Sequence, residues 1–143
     1  MQSKNYDELI KKRVYIGGAA DASAAAENEQ TDVVFDLRSE SDDSSAAGYH
    51  RIHSPITDDK ERQDESVKNS IHQVVHAYNE GKKIYFHCGG GSNRTGTVAI
   101  GTLLSLNMAS SIEEAERTAK EVRPKIQVKP EMKETLKRLY PNA

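Results

Sequence analysis

The stretch KIYFHCGGGSNRTGTVAIGTLLSL, residues 83–106, decides how the rest of the chain is read. Residues 83–87 are rich in β-formers and predict a strand. Residues 88–96 form a Gly-rich turn, and residues 97–106 are apolar on nearly every face, the pattern of a buried helix. A strand, a glycine turn and a helix in that order make an anion cradle. Glycines let the backbone curl so that several N–H groups point inward. The helix N-terminus adds free N–H groups and a partial positive charge, and together they suit a phosphate. Cys88 stands where the loop begins, with its sulfur facing the cradle's centre. Arg94 closes the loop and offers a planar fork for two phosphate oxygens. Such surroundings lower a cysteine pKa from about 8.5 to roughly 3.5–7.5.

Working outward, residues 65–80 carry Val67, Ile71, Val74, Val75 and Tyr78 on one stripe, which predicts a helix ended by Gly81. Residues 13–17 (RVYIG) and 32–37 (DVVFDL) predict strands, with an Ala- and Glu-rich helix between them at 19–30. Residues 39–48 read as a polar loop and 50–56 as a further strand, with Ser54-Pro55 near its end. Downstream, Ser111 with Glu114 three residues on is a capping box for a helix over 111–122. A last helix is expected over 131–140, after Pro130. Strands alternating with helices, without repeats or a long linker, predict one α/β domain over residues 1–143. Its central sheet is mostly parallel, with helices on both faces.

Composition narrows the function classes. The chain has 143 residues, enough to bury a core without disulfides or metals. Its formal net charge of -2 argues against a non-specific grip on nucleic acid. No apolar run approaches the roughly 20 residues that span a bilayer, and residues 1–12 have no apolar signal-peptide centre. The expectation is a cytoplasmic monomer that contacts neither membrane nor nucleic acid. Cys88 is the single cysteine, so no internal disulfide shapes the fold. A lone cysteine is more often a small buried apolar residue than a nucleophile, and only the loop around Cys88 reverses that prior.

The run His87, Cys88, five residues, Arg94, Thr95 resembles the signature of the cysteine-dependent protein-tyrosine and dual-specificity phosphatases. Gly91 and Gly96 also stand where that superfamily commonly has glycine. The resemblance implies a dual-specificity-phosphatase-like fold and a cysteinyl-phosphate mechanism. In it Cys88 is the nucleophile, Arg94 clamps the phosphate, and the loop Gly89, Gly90, Gly91, Ser92, Asn93 cradles it. Thr95 eases departure of the sulfur, and His87 supports the loop. The superfamily places an aspartate acid about thirty residues before the cysteine. The stretch HSPITDD, residues 53–59, offers Asp58 three residues after Pro55, with Asp59 as the alternative. No cofactor is implied.

The expected substrate is a phosphorylated protein, foremost phosphotyrosine and also phosphoserine or phosphothreonine, or a small phosphoester. A phosphatase of a non-protein substrate (an RNA 5′-end, a nucleotide or a phosphoinositide) is the alternative. The loop's variable positions Gly89, Gly90, Ser92 and Asn93 are neutral, whereas inositol-lipid phosphatases of the superfamily carry lysines there. A phosphate-binding module without turnover is the reading from another class, and the presence of both Cys88 and Arg94 weighs against it.

Remaining features take bland readings first. His72 and His76 have a spacing that metal ligands use but sit off the apolar stripe, so no metal site is expected. Asp36 and Arg38, in a DLR stretch at a strand end, are expected to form a structural salt bridge. Asp42 and Asp43 are expected to be solvated. The basic excess over residues 117–138 reads as polar helix faces. Within it the turn 123–127 (RPKIQ) is expected to border the pocket and bring Lys125 or Gln127 near substrate.

Overall fold

The computed structural model describes residues 5–40 and 49–143. Residues 41–48 of the expected polar loop, with Asp42 and Asp43, lie outside the described residues. The elements run β1 (Asp7–Ile10), β2 (Val14–Gly18), α1 (Ala22–Glu29), β3 (Val33–Arg38), β4 (Arg51–Ile56), α2 (Gln63–Asn79), β5 (Ile84–Cys88), α3 (Asn93–Ser105), α4 (Ile112–Val122) and α5 (Pro130–Leu139). Among the described residues the sheet has five strands in the order β1-β2-β5-β3-β4. β2, β5, β3 and β4 pair in parallel, and β1 pairs antiparallel with β2 at the edge. The α/β architecture with a mostly parallel sheet is as expected. β1 is an addition to it: its four residues, DELI, alternate too briefly to stand out as a strand.

Alternation along the central strands sorts side chains between two layers. Val14 and Ile16 of β2, Val33, Phe35 and Leu37 of β3, and Ile84 and Phe86 of β5 face the larger core. There they meet Val67, Ile71 and Val74 of α2, and Val98, Ile100 and Leu103 of α3. Tyr15, Val34 and Tyr85 point to the other face, against Ala22 and Ala25 of α1 and Tyr6. The helices therefore cover both faces. α3 lies in the middle of its layer and is buried from Thr95 to Leu104, which is why residues 97–106 read as apolar all round.

The helix ends follow local chemistry. Ser111 Oγ accepts the Glu114 amide at 3.1 Å, as the capping box requires. The Glu114 carboxylate reaches back one residue further than expected, to the Ser110 hydroxyl at 3.0 Å. Pro130 opens α5, and Gly81 follows α2 with φ of 84°. α3 begins at Asn93, four residues before the expected start at residue 97, so the second half of the Gly-rich stretch is already helical.

At the C-terminal end of β3, Asp36 is fully buried between two arginines. Arg38 and Arg51 each donate to it at 2.8 Å, and the Arg38 amide donates at 3.0 Å. The expected Asp36–Arg38 salt bridge is present, and Arg51 of β4 joins it. Burial opposes ionisation of Asp36, but the hydrogen bonds from Arg38 and Arg51 outweigh it and hold the carboxyl far below the usual carboxylate range. A depressed pKa stabilises the fold above the unfolded value of about 3.9 and is lost only as pH falls toward the folded value. This contribution therefore persists through mildly acid solution. Asp36→Asn is expected to cost about 3–5 kcal/mol, because it leaves buried guanidinium charge uncompensated. Urea unfolding at neutral pH measures it; a change below 1 kcal/mol would show that the arginines find other partners.

Candidate active site

In open α/β sheets ligands bind outside the carboxyl ends of the strands, and the cleft of this protein lies there, at the end of β5. β5 delivers His87 and Cys88 to the start of the loop, and α3 receives the chain at Asn93. Cys88 is 4% exposed. The Thr95 hydroxyl lies 3.1 Å from its sulfur and also accepts the Cys88 amide at 3.0 Å. Gly17 O is a second acceptor for that hydroxyl at 3.2 Å, so its single proton can follow the charge on sulfur. Burial pushes the Cys88 thiol up. The Thr95 hydroxyl and the amides of Thr95, Ser92 and Gly91 donate to the sulfur, outweigh burial and bring its pKa below the ordinary thiol value.

The loop is held by its surroundings. Gly91 has φ of 73°, and a Cβ there would stand 2.6 Å from the Gly17 carbonyl carbon, so no other residue fits without moving β2. At Gly96 a Cβ would press on Ile126 and Val128 at 2.7 and 2.9 Å. The missing side chain lets the segment between α4 and α5 pack directly on the first turn of α3. Ser92 Oγ donates to Lys125 O at 3.0 Å, and Asn93 Oδ1 accepts the Lys129 amide at 2.8 Å. The side chains of Ser92 and Asn93 thus fasten the neighbouring segment. His87 is buried, and burial lowers its pKa, so the neutral ring donates through Nδ1 to Cys88 O at 3.1 Å. Its Nε2 has no hydrogen-bond partner among the described residues.

A cleft of about 810 Å³ opens over the loop, lined by Cys88, Arg94, Asp58, Glu40, Gln127 and Lys129 among others. The sequence-predicted nucleophile, clamp and acid therefore share one cavity. Asp58 stands just after β4, on a turn pinned to α2. There the Thr57 amide donates to Ser66 Oγ at 3.2 Å and Gln63 Nε2 donates to Thr57 O at 3.1 Å. Asp59 Oδ1 instead accepts the Glu61 amide at 3.1 Å within that turn. Of the two candidates in the segment after α4, Gln127 lines the cleft, whereas Lys125 meets the loop through its carbonyl. His72 and His76 are exposed on α2, away from the cleft.

Two functional partners were not foreseen from the sequence. Glu40 takes the end of the Arg94 guanidinium in a bidentate pair, with Nη1 donating at 2.8 Å and Nη2 at 3.0 Å. The fork of Arg94 holds the Glu40 carboxyl down to about 2. This end-on grip leaves the Nε edge of Arg94 unengaged among the described residues, and that edge still offers two parallel N–H groups to a phosphate. Arg123, expected only as a turn residue, is buried against the back of the loop. Neither role has a local signal: each rests on residues more than 30 positions apart.

The family model for the dual specificity phosphatase catalytic domain matches residues 14–141. The chain belongs to the dual-specificity phosphatase family, within the cysteine-dependent phosphatases. Among solved structures it is similar to Tk-PTP in its active form, at 23% identity over 99% of this chain and 100% of that one, with a TM-score of 0.77. It is similar to human DUSP28 at 17% identity over 96% and 93%, TM-score 0.77. It is also similar to PTPMT1 in complex with PI(5)P, at 17% identity over 96% and 95%, TM-score 0.77. At these identities the likeness speaks for the fold. No curated protein matches the chain. Among the described residues no helix is long and apolar enough to cross a membrane.

Proposed function

We propose that the protein hydrolyses phosphate monoesters through a cysteinyl-phosphate intermediate, with protein phosphotyrosine as the foremost substrate and phosphoserine or phosphothreonine admitted. The observation that carries this reading is the Cys88 sulfur, set among hydrogen-bond donors at the base of the cleft that also holds Arg94 and Asp58. The Cys88 thiolate attacks phosphorus, forming the S–P bond as the P–O bond to the leaving group breaks. Asp58 delivers its proton to the leaving oxygen. Arg94 and the loop amides hold the three remaining oxygens, whose charge grows in the transition state. Water then attacks phosphorus and gives a proton to Asp58, and sulfur leaves as a thiolate that the Thr95 hydroxyl stabilises. Splitting one displacement into two is the gain of the covalent step.

Asp58→Asn is expected to lower kcat on an aryl phosphate by about 10²–10⁴, the usual worth of a general acid. The loss should shrink for leaving groups that need no proton. Equal rates for Asp58→Asn and wild type, with the loss appearing in Asp59→Asn, would move the role one residue along.

The substrate class is tested with a panel of phosphotyrosine and phosphoserine peptides, phosphoinositides and RNA 5′-ends. Preferred turnover of phosphotyrosine peptides supports the reading. A preference for phosphoinositides or RNA ends would replace it with the non-protein alternative, and binding without turnover would point to a phosphate-binding module.

A further inference from the structure

Arg123 follows α4 and is 3% exposed. Its guanidinium lies behind the phosphate loop, on the side away from the cleft. Nε donates to Gly91 O at 2.8 Å, and Nη2 donates to Gly90 O at 3.3 Å. Nη1 donates to Asn5 O at 2.8 Å and to the Asp7 carboxylate at 2.9 Å. One side chain thus ties the middle of the loop to the edge strand β1.

The consequence follows from peptide geometry. Every described peptide bond is trans, so each carbonyl and the next residue's N–H point in opposite directions. Drawing Gly90 O and Gly91 O backward turns the amides of Gly91 and Ser92 forward, into the cradle. Those two amides are among the donors to the Cys88 sulfur. Besides Arg123, the Ala19 amide holds this stretch through Gly89 O at 3.0 Å, and Gly89, Gly90 and Gly91 add no side-chain contact. A Cβ at Gly90 would meet nothing within 4 Å, and one at Gly89 only a Glu40 oxygen at 3.9 Å. A flipped peptide there would set a carbonyl dipole against the thiolate.

We propose that Arg123 is a positioning residue for the nucleophile: by holding the Gly90 and Gly91 carbonyls away from the cleft it aims the Gly91 and Ser92 amides at sulfur and phosphate. Asp7 supports it by fixing the far end of the guanidinium. The inference rests on Cys88 as the nucleophile. It assigns to β1, an edge strand remote in sequence, a part in setting the reactivity of the thiol. The other charged and titratable groups near Cys88 are Arg94 with its partner Glu40, Asp58 across the cleft, His87 with Asp36 behind it, and Tyr85, whose hydroxyl donates to Gly18 O at 2.7 Å. None of them is hydrogen-bonded to Arg123, and Arg123→Lys keeps the positive charge that Tyr85 and Cys88 feel.

The test measures the pH dependence of iodoacetamide alkylation of Cys88 and the affinity for vanadate. It compares wild type, Arg123→Lys and Asp7→Asn, with thermal melts to check folding. A lysine cannot span two carbonyls and a carboxylate together. In Arg123→Lys the alkylation midpoint should move to higher pH and vanadate should bind about tenfold more weakly, the scale of one or two misaligned hydrogen bonds. Asp7→Asn should shift both in the same direction by less, because Asn5 O still holds Nη1. A folded Arg123→Lys with the wild-type midpoint and vanadate affinity overturns the proposal. If Arg123→Lys does not fold, an unchanged midpoint in Asp7→Asn overturns it instead. Alkylation needs no turnover, so failure here is separate from failure of the catalytic reading, which would appear as activity retained by Cys88→Ser.

Discussion

Cys88→Ser should lose turnover of an aryl phosphate by roughly 10⁴–10⁶-fold, the scale on which removing a covalent nucleophile acts. A serine hydroxyl in the same place ionises far less readily than the thiol, so the donors that stabilise a thiolate cannot make it an equivalent nucleophile. Those donors are the Thr95 hydroxyl and the amides of Gly91, Ser92 and Thr95, and all of them remain in the variant. The cradle should therefore still bind phosphate or vanadate, and binding and chemistry should come apart. Isothermal titration with vanadate beside initial rates reads both. Substantial activity in Cys88→Ser would end the covalent mechanism; loss of vanadate binding with activity would point to a collapsed loop. The wild-type pH profile gives a further check. Because the thiol pKa is lowered, the thiolate-dependent rise in kcat/KM should lie at lower pH than for a free cysteine, with the rate falling as pH drops through that value.

Arg94→Lys should cut kcat/KM by about 10³–10⁵-fold, the range an arginine on a transferring phosphoryl group supplies. The size of the expected loss comes from the double engagement of the guanidinium. Its terminal nitrogens are held by Glu40, and its Nε edge is left for the phosphate. A lysine ammonium can pair with Glu40 or with a phosphate oxygen, but it cannot present one planar face to each. The side chain of Arg94 is 18% exposed and that of Glu40 59%, so the pair stands at the solvent edge and its worth lies in orientation more than in stability. The loss should fall mostly on kcat, since the equatorial oxygens gain charge in the transition state. An equal loss in vanadate affinity and in kcat/KM would fit this role. A pure KM effect would reduce Arg94 to a ground-state anchor.

How far the sequence carried the reading depends on the range of each interaction. The phosphate loop was legible because its parts are consecutive: strand, glycines, cysteine, arginine and helix follow within residues 83–106. The helical stripe of α2 and the Ser111 cap were legible for the same reason, being set by residues three or four apart. β1 was not, because four residues at a sheet edge carry too short an alternation, and its pairing with β2 is what makes it a strand. The start of α3 was misplaced because glycine and polar residues at 93–96 read as loop until the packing of Ile126 and Val128 against Gly96 is known.

Residue order alone therefore determined the α/β class, the position of the Cys88 loop and the pairing of Asp36 with Arg38, all of which rest on local periodicity or adjacency. The tertiary structure alone decided that Asp58 lines the cleft while Asp59 serves its turn, and that Glu40 holds the end of Arg94. It also decided that Arg123 and Asp7 grip the loop from behind. The contacts of Glu40 with Arg94 and of Arg123 with the loop and Asp7 join residues 32 to 116 positions apart, and charged side chains on polar helix faces and loops leave no periodic trace of the partner they will meet. Only the sheet order, which sets β2 beside β5 and β5 beside β3, brings such distant groups within hydrogen-bond reach.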